Sequence, residues 1–148
     1  MSLSTLDTQQ NADLGVPVEI LNPKTGLPIG LRITVLGTDS DTYQEIVNRQ
    51  TNKRLAAAKK NRGQLPTLTV EQIEGEQLNV LVGCTQSWES YDPAAPATAP
   101  VPTVELTPGV FLDCTPENVR TIYAHRGFSW LRRQVDDAIG DQTLFLTS

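Results

Sequence analysis

The chain is poor in the side chains that build reactive centres. It has one histidine, His125, and two cysteines, Cys84 and Cys114, in 148 residues. Neither cysteine lies in a CxxC pair, so Cys and His alone cannot supply a four-ligand zinc site. Two isolated cysteines read as buried thiols of a reducing compartment, with a disulfide left open. No run approaches the roughly 18 apolar residues that a membrane span requires. The segment from Met1 to Gln10 lacks the basic and apolar regions of a secretory signal, so the expected address is the cytoplasm.

Motifs that hold phosphate or calcium are also missing. Gly26-Leu27-Pro28-Ile29-Gly30 is followed by no Lys-Ser/Thr, as a phosphate loop would demand. Asp39 and Asp41 open like a calcium loop, but the glycine and the closing glutamate are absent. No glycine-rich strand–turn–helix surrounds either thiol, which a nucleophile paired with His125 would need. Asp136, Asp137 and Asp141 cluster near the C-terminus, yet adjacent helical residues diverge by about 100° and do not converge on an ion. The expectation is a non-enzymatic protein with no catalytic residue, no metal and no cofactor.

What remains is a lean apolar fraction, 39%, with 20% charged residues and a net charge of −5. Gln, Asn, Thr and Ser fill the gap. An acidic total speaks against nucleic acid or an anionic membrane as partner. The length suits one domain able to bury its own core.

Residues 1–14 are polar and aperiodic and are expected to form a flexible tail, with a single domain over 15–148. Val16, Val18 and Ile20 alternate with polar positions and Pro17, which indicates an edge strand. Asn22-Pro23-Lys24-Thr25-Gly26 is a turn, and Leu31, Ile33 and Val35 face one way on the return strand. Pro28 and Gly30 limit where pairing begins. The open edge of this hairpin makes a homo-oligomer conceivable.

A helix is expected over roughly 41–60, with a thin stripe of Tyr43, Val47, Leu55 and Ala58, ended by Gly63 and Pro66. Residues 46–62 hold six of the twelve basic residues and no acidic one, with Arg49, Lys53 and Lys60 on one face. Thr69 and Gln72 form a capping box for a second helix, expected to run to about Ser90 as the most buried of all. Its stripe is Val70, Ile73, Leu81, Cys84 and Trp88, interrupted by Gly75 and Gly83. Residues 92–102 hold four of the ten prolines and read as an extended connector. Val104–Leu106 and Val110–Leu112 flank a Thr-Pro-Gly turn. Thr115-Pro116-Glu117 starts one more helix and Ser129 another. The fold class is therefore α+β: an N-terminal β-hairpin followed by a mainly helical body of about four helices.

The large apolar groups Trp88, Trp130, Phe128 and Phe145 are candidate partner contacts, together with the basic Arg49, Lys53 and Lys60. Four segments in order carry a resemblance. They are Ile33-Thr34-Val35-Leu36-Gly37-Thr38-Asp39-Ser40 before a polar helix; Val82-Gly83-Cys84 with Trp88-Glu89; Cys114-Thr115-Pro116-Glu117-Asn118-Val119; and Trp130-Leu131-Arg132-Arg133-Gln134-Val135 followed by Gly140-Asp141 and Phe145. Over about residues 30–146 the chain resembles the tail assembly chaperones of long-tailed bacteriophages. The resemblance implies a protein of the host cytoplasm, absent from the mature virion. It implies partners too: the tape-measure protein and the tail-tube protein. It also implies that some members exist in a longer, frameshifted form. The alternative expectation is a structural virion component of the tail or connector.

Overall fold

The computed structural model describes residues 2–64, 67–95 and 97–146. Pro66, expected as a helix stop, and Pro96, expected in the connector, lie outside the described residues.

The chain is α+β. Two strands, β1 (Val16–Leu21) and β2 (Pro28–Val35), form the expected antiparallel hairpin, with Pro17 opposite Thr34 on the edge strand. Pairing already begins at Pro28, opposite Leu21. The register then slips between Glu19 and Leu21, a bulge that places Gly30 at φ +89°. The outer edge of β1 is closed at one end by Gln134. Its side-chain amide donates to the Leu21 carbonyl and accepts from the Leu21 N–H, both at 2.8 Å. A side chain there takes the place of a neighbouring strand.

Helix α2 (Asp41–Lys60) starts on Ser40, whose hydroxyl accepts from the Tyr43 N–H at 3.1 Å. Helix α3 (Val70–Cys84) starts on the capping box of Thr69 and Gln72. It then stops at Cys84, short of Ser90. Thr85–Ser90 is a strand, β3, antiparallel to β2 and opposite to it from β1. The sheet therefore has three strands, with β2 in the centre. Thr85 makes the switch: its hydroxyl donates to the Leu81 carbonyl at 2.8 Å and meets the Tyr123 hydroxyl at 2.7 Å.

After the connector, in which Val101 bridges to Ser90, β4 (Thr103–Thr107) and β5 (Val110–Asp113) form a second hairpin around Gly109. Helix α4 (Pro116–Ala124) begins on Thr115 with proline in its first turn, and α5 (Ser129–Ile139) ends at Gly140. A short 3-10 turn, Gln142–Phe145, closes the described chain.

The core lies between one face of the sheet and helices α4 and α5. Ile20, Ile33, Val35 and Trp88 meet Val119, Tyr123, Leu131 and Val135 there. The most buried helix is α5, with four buried residues, and not α3, which buries only Leu81 and Cys84. The segment expected as a flexible tail contains a further short helix, α1 (Gln9–Leu14), which buries Ala12 completely. Its Asn11 amide donates to the Phe145 carbonyl at 2.9 Å. Gly37 is needed there, because a Cβ would stand 2.9 Å from the Phe145 ring and 3.0 Å from Ala12.

Candidate functional site: an apolar cleft beside the second hairpin

His125 and the acidic groups of the sequence have separate structural roles. His125 is exposed, and its Nδ1 accepts the Gly127 N–H at 3.0 Å. Its ring stacks on Phe128 with centroids 4.5 Å apart. It closes the turn between α4 and α5. Asp39 accepts from the Thr8 hydroxyl, and the Asp41 N–H donates to Asp13 at 2.7 Å, so this pair anchors the N-terminal helix. Asp141 caps the final turn by accepting the Thr143 N–H. Among the described residues, no three His, Cys, Asp or Glu side chains are grouped as ligands of a metal ion. No helix there is long and apolar enough to cross a membrane.

Both thiols are free. Cys84 is buried in the core, and burial pushes its thiol up to about 11. Burial also raises Cys114, partly offset by a hydrogen bond from the Trp88 backbone. The folded state thus holds Cys84 neutral while the unfolded chain ionises near its ordinary 9.0. A group whose pKa is raised on folding, and whose neutral form is the one retained, destabilises the fold at high pH. Stability is expected to be intact below pH 9 and to fall by up to about 3 kcal/mol towards pH 11. Urea midpoints measured at both ends of that window check this, and the Cys84→Ala chain should show a smaller loss. Tyr123, raised in the same direction by its burial, adds to the decline above pH 10.

A polar cluster crosses the outer face of the sheet. Arg32 donates to Glu19 at 2.9 Å and to Glu89 at 2.6 Å, and its guanidinium lies 4.5 Å from the Tyr91 ring centroid. Burial alone would raise Glu19, but hydrogen bonds from Tyr91 and Arg32 outweigh it and hold the carboxyl low. The group ties all three strands together and faces solvent.

The concave apolar surface lies elsewhere. The start of β2, the strand β4 and the α4–α5 corner enclose a cleft of about 200 Å³. Its walls are Ile29, Leu31, Val104, Leu106, Phe128 and Trp130. A shallower groove of about 480 Å³ continues from it past Tyr91, Val101 and Phe111. Ile29, Val101 and Phe111 remain exposed along this surface, Phe111 at 59%. The cleft is apolar, and the groove that continues it adds Ser90, Asp92, Thr98 and Thr103 to its apolar residues; a concave apolar surface of this kind marks an interaction site more often than a lone exposed side chain does.

The sequence-predicted contact residues divide three ways. Phe128 and Trp130 are half-buried and line the cleft. Trp88 and Phe145 are 3% and 2% exposed, so they are core residues and not contacts. The Trp88 indole N–H donates to the Leu112 carbonyl at 3.1 Å, which fastens the second hairpin to the sheet. Arg49, Lys53 and Lys60 are exposed on α2, away from the cleft. Sequence reasoning missed Ile29, which lies between Pro28 and Gly30, Val101, which lies between two prolines of the connector, and Phe111, which lies in the short segment after the Thr-Pro-Gly turn. Comparison of the chain with protein-family models, curated proteins and solved structures found no match.

Proposed function

We propose that this chain is a non-enzymatic assembly chaperone of the phage-tail type. In this reading it binds an apolar helical stretch of a tape-measure protein and brings tail-tube subunits to it in the host cytoplasm, and it does not remain in the finished particle. The observation that carries the reading is the apolar cleft of Phe128, Trp130, Val104 and Ile29, in whose lining eight of the nine residues are apolar and the ninth is Glu105. An amphipathic helix laid into such a groove hides the residues that would otherwise aggregate. The four sequence segments that resemble tail assembly chaperones support the same reading.

Co-expression tests it. The tape-measure protein of the same phage should stay soluble and co-purify with this chain. Purified particles should lack the chain by mass spectrometry. An insoluble tape measure that leaves the chain alone in the supernatant would refute the proposal. Stoichiometric presence in particles would favour a structural tail component instead.

A further inference from the structure

Strand β1 is an outer strand of the three-stranded sheet, so alternate residues point their backbone groups away from β2. Backbone bonds fix which residues these are. On β2, the Gly30 carbonyl accepts the Tyr91 N–H, and the Leu36 N–H, just past the strand, donates to the Cys84 carbonyl, both at 2.8 Å. Arg32 and Thr34, at alternate positions between them, therefore turn towards β3. Their partners on β1, Glu19 and Pro17, turn outwards. Leu21 does the same, because the next residue, Asn22, donates inwards to the Leu27 carbonyl at 2.8 Å.

These outward residues are not equal. Pro17 has no N–H to offer. Glu19 turns both its N–H and its carbonyl to the open edge. At Leu21 both groups are taken by the Gln134 side chain, at 2.8 Å each. A carboxamide carries the donor and the acceptor of a peptide group, so Gln134 does at this position what an added strand would do. Its own place is set by the core. Leu131 and Ala138, one turn to either side on α5, are buried, which holds the amide at the rim of the sheet.

We infer that Gln134 is an autoinhibitory contact that closes the β1 edge to β1 of a second copy of the chain. Two such strands laid antiparallel about Glu19 would exchange bonds between the two Glu19 backbones and send each Leu21 N–H to the Pro17 carbonyl of the other copy. The edge itself points to this occupant: in that register its donors and acceptors are self-complementary, apart from the donor that Pro17 lacks. Charge does not keep the copies apart, since Arg32 pairs with Glu19 at 2.9 Å and offsets the carboxylates that would meet. The barrier is the amide, which removes the Leu21 donor and stands where Pro17 of the other copy would lie. The inference does not rest on the chaperone reading and uses a surface other than the cleft.

Gln134→Ala, at a half-buried helical position, opens the edge. Gln134→Met keeps nearly the same length without the amide, and so separates lost hydrogen bonds from lost packing. Light scattering coupled to size exclusion should show both variants associating about tenfold or more tightly than the parent, the worth of the bonds regained at each Leu21, and falling apart on dilution. Amide hydrogen exchange locates the contact. In the parent the Leu21 amide should exchange about tenfold or more slowly than that of Glu19. In either variant it should lose that protection when dilute, and in concentrated solution both amides should be protected together. Variants with unchanged circular dichroism that associate no more tightly than the parent overturn the inference. So does an association that leaves the Glu19 amide unprotected, or a parent whose Leu21 amide exchanges as fast as that of Glu19.

Discussion

Replacing Trp88 by alanine is expected to lower the unfolding free energy by about 3–5 kcal/mol, the range for a fully enclosed aromatic. Trp88 stands opposite Ile33 on the central strand and is almost completely buried. The loss has two parts. One is the cavity left among the sheet and the helices. The other is the orphaned Leu112 carbonyl, which accepts the indole N–H in the native chain. Because that bond fastens the second hairpin, the cleft walls formed by Val104 and Leu106 should loosen before the sheet does. Trp130→Ala is the instructive contrast. Its side chain is half-buried at the cleft, so the stability loss should be less than half as large, while partner binding suffers more. Urea unfolding of the two variants, read side by side, separates the core tryptophan from the cleft tryptophan.

The second large effect is expected at Gly30. Its φ of +89° is one that side chains with a Cβ adopt at a cost of about 1–2 kcal/mol. A Cβ would also stand 2.3 Å from the Tyr91 carbonyl oxygen, a backbone atom that cannot rotate away. The Tyr91 N–H donates to the Gly30 carbonyl at 2.8 Å, so relief requires breaking that clasp. Gly30→Ala should therefore destabilise by about 3 kcal/mol, the sum of the strained dihedral and an overpacked contact. Gly26→Ala offers the control. It shares a positive φ, +72°, but nothing lies within 4 Å of its added Cβ, so only the dihedral cost of about 1 kcal/mol applies. Thermal or urea denaturation of both variants would show the difference. Equal losses at the two glycines would mean that the Tyr91 contact does not constrain the fold.

These cases also show how much of the molecule was legible in its residues. The hairpin, the caps on Thr69 and Thr115, the proline-led α4 and the glycine-ended α5 follow from local signals that need no tertiary context. The switch from α3 to β3 does not. Trp88 is the one buried residue of that strand and also falls four positions after Cys84. A single inward apolar residue satisfies a period of 2 and a period of 3.6 alike. The vacant edge of β2 decides the matter, and a vacant edge is a tertiary fact. Trp88 counts as a candidate contact by its size alone, and only the packed sheet shows that it is buried. The exposed half of the α3 stripe, Val70 and Ile73, is the converse case. Periodicity marks a face as apolar, and only the fold shows where the body stops covering it.

The cleft was legible in part. Phe128 and Trp130 stand out as large apolar groups beside a helix start, whereas Ile29 and Phe111 acquire meaning only once two hairpins are brought side by side. Nothing in their own segments signals that neighbourhood, because the wall joins residues about eighty positions apart in the chain.

In the proposed reading the chain acts through apolar contact area at this cleft. Titration calorimetry of a solubilised tape-measure segment into the parent chain and into Trp130→Glu addresses it directly. The parent should bind, and the variant, with its far-ultraviolet dichroism intact, should bind at least thirtyfold more weakly, as loss of a central anchor does. Equal affinity for the two chains would contradict the account and place the working surface elsewhere.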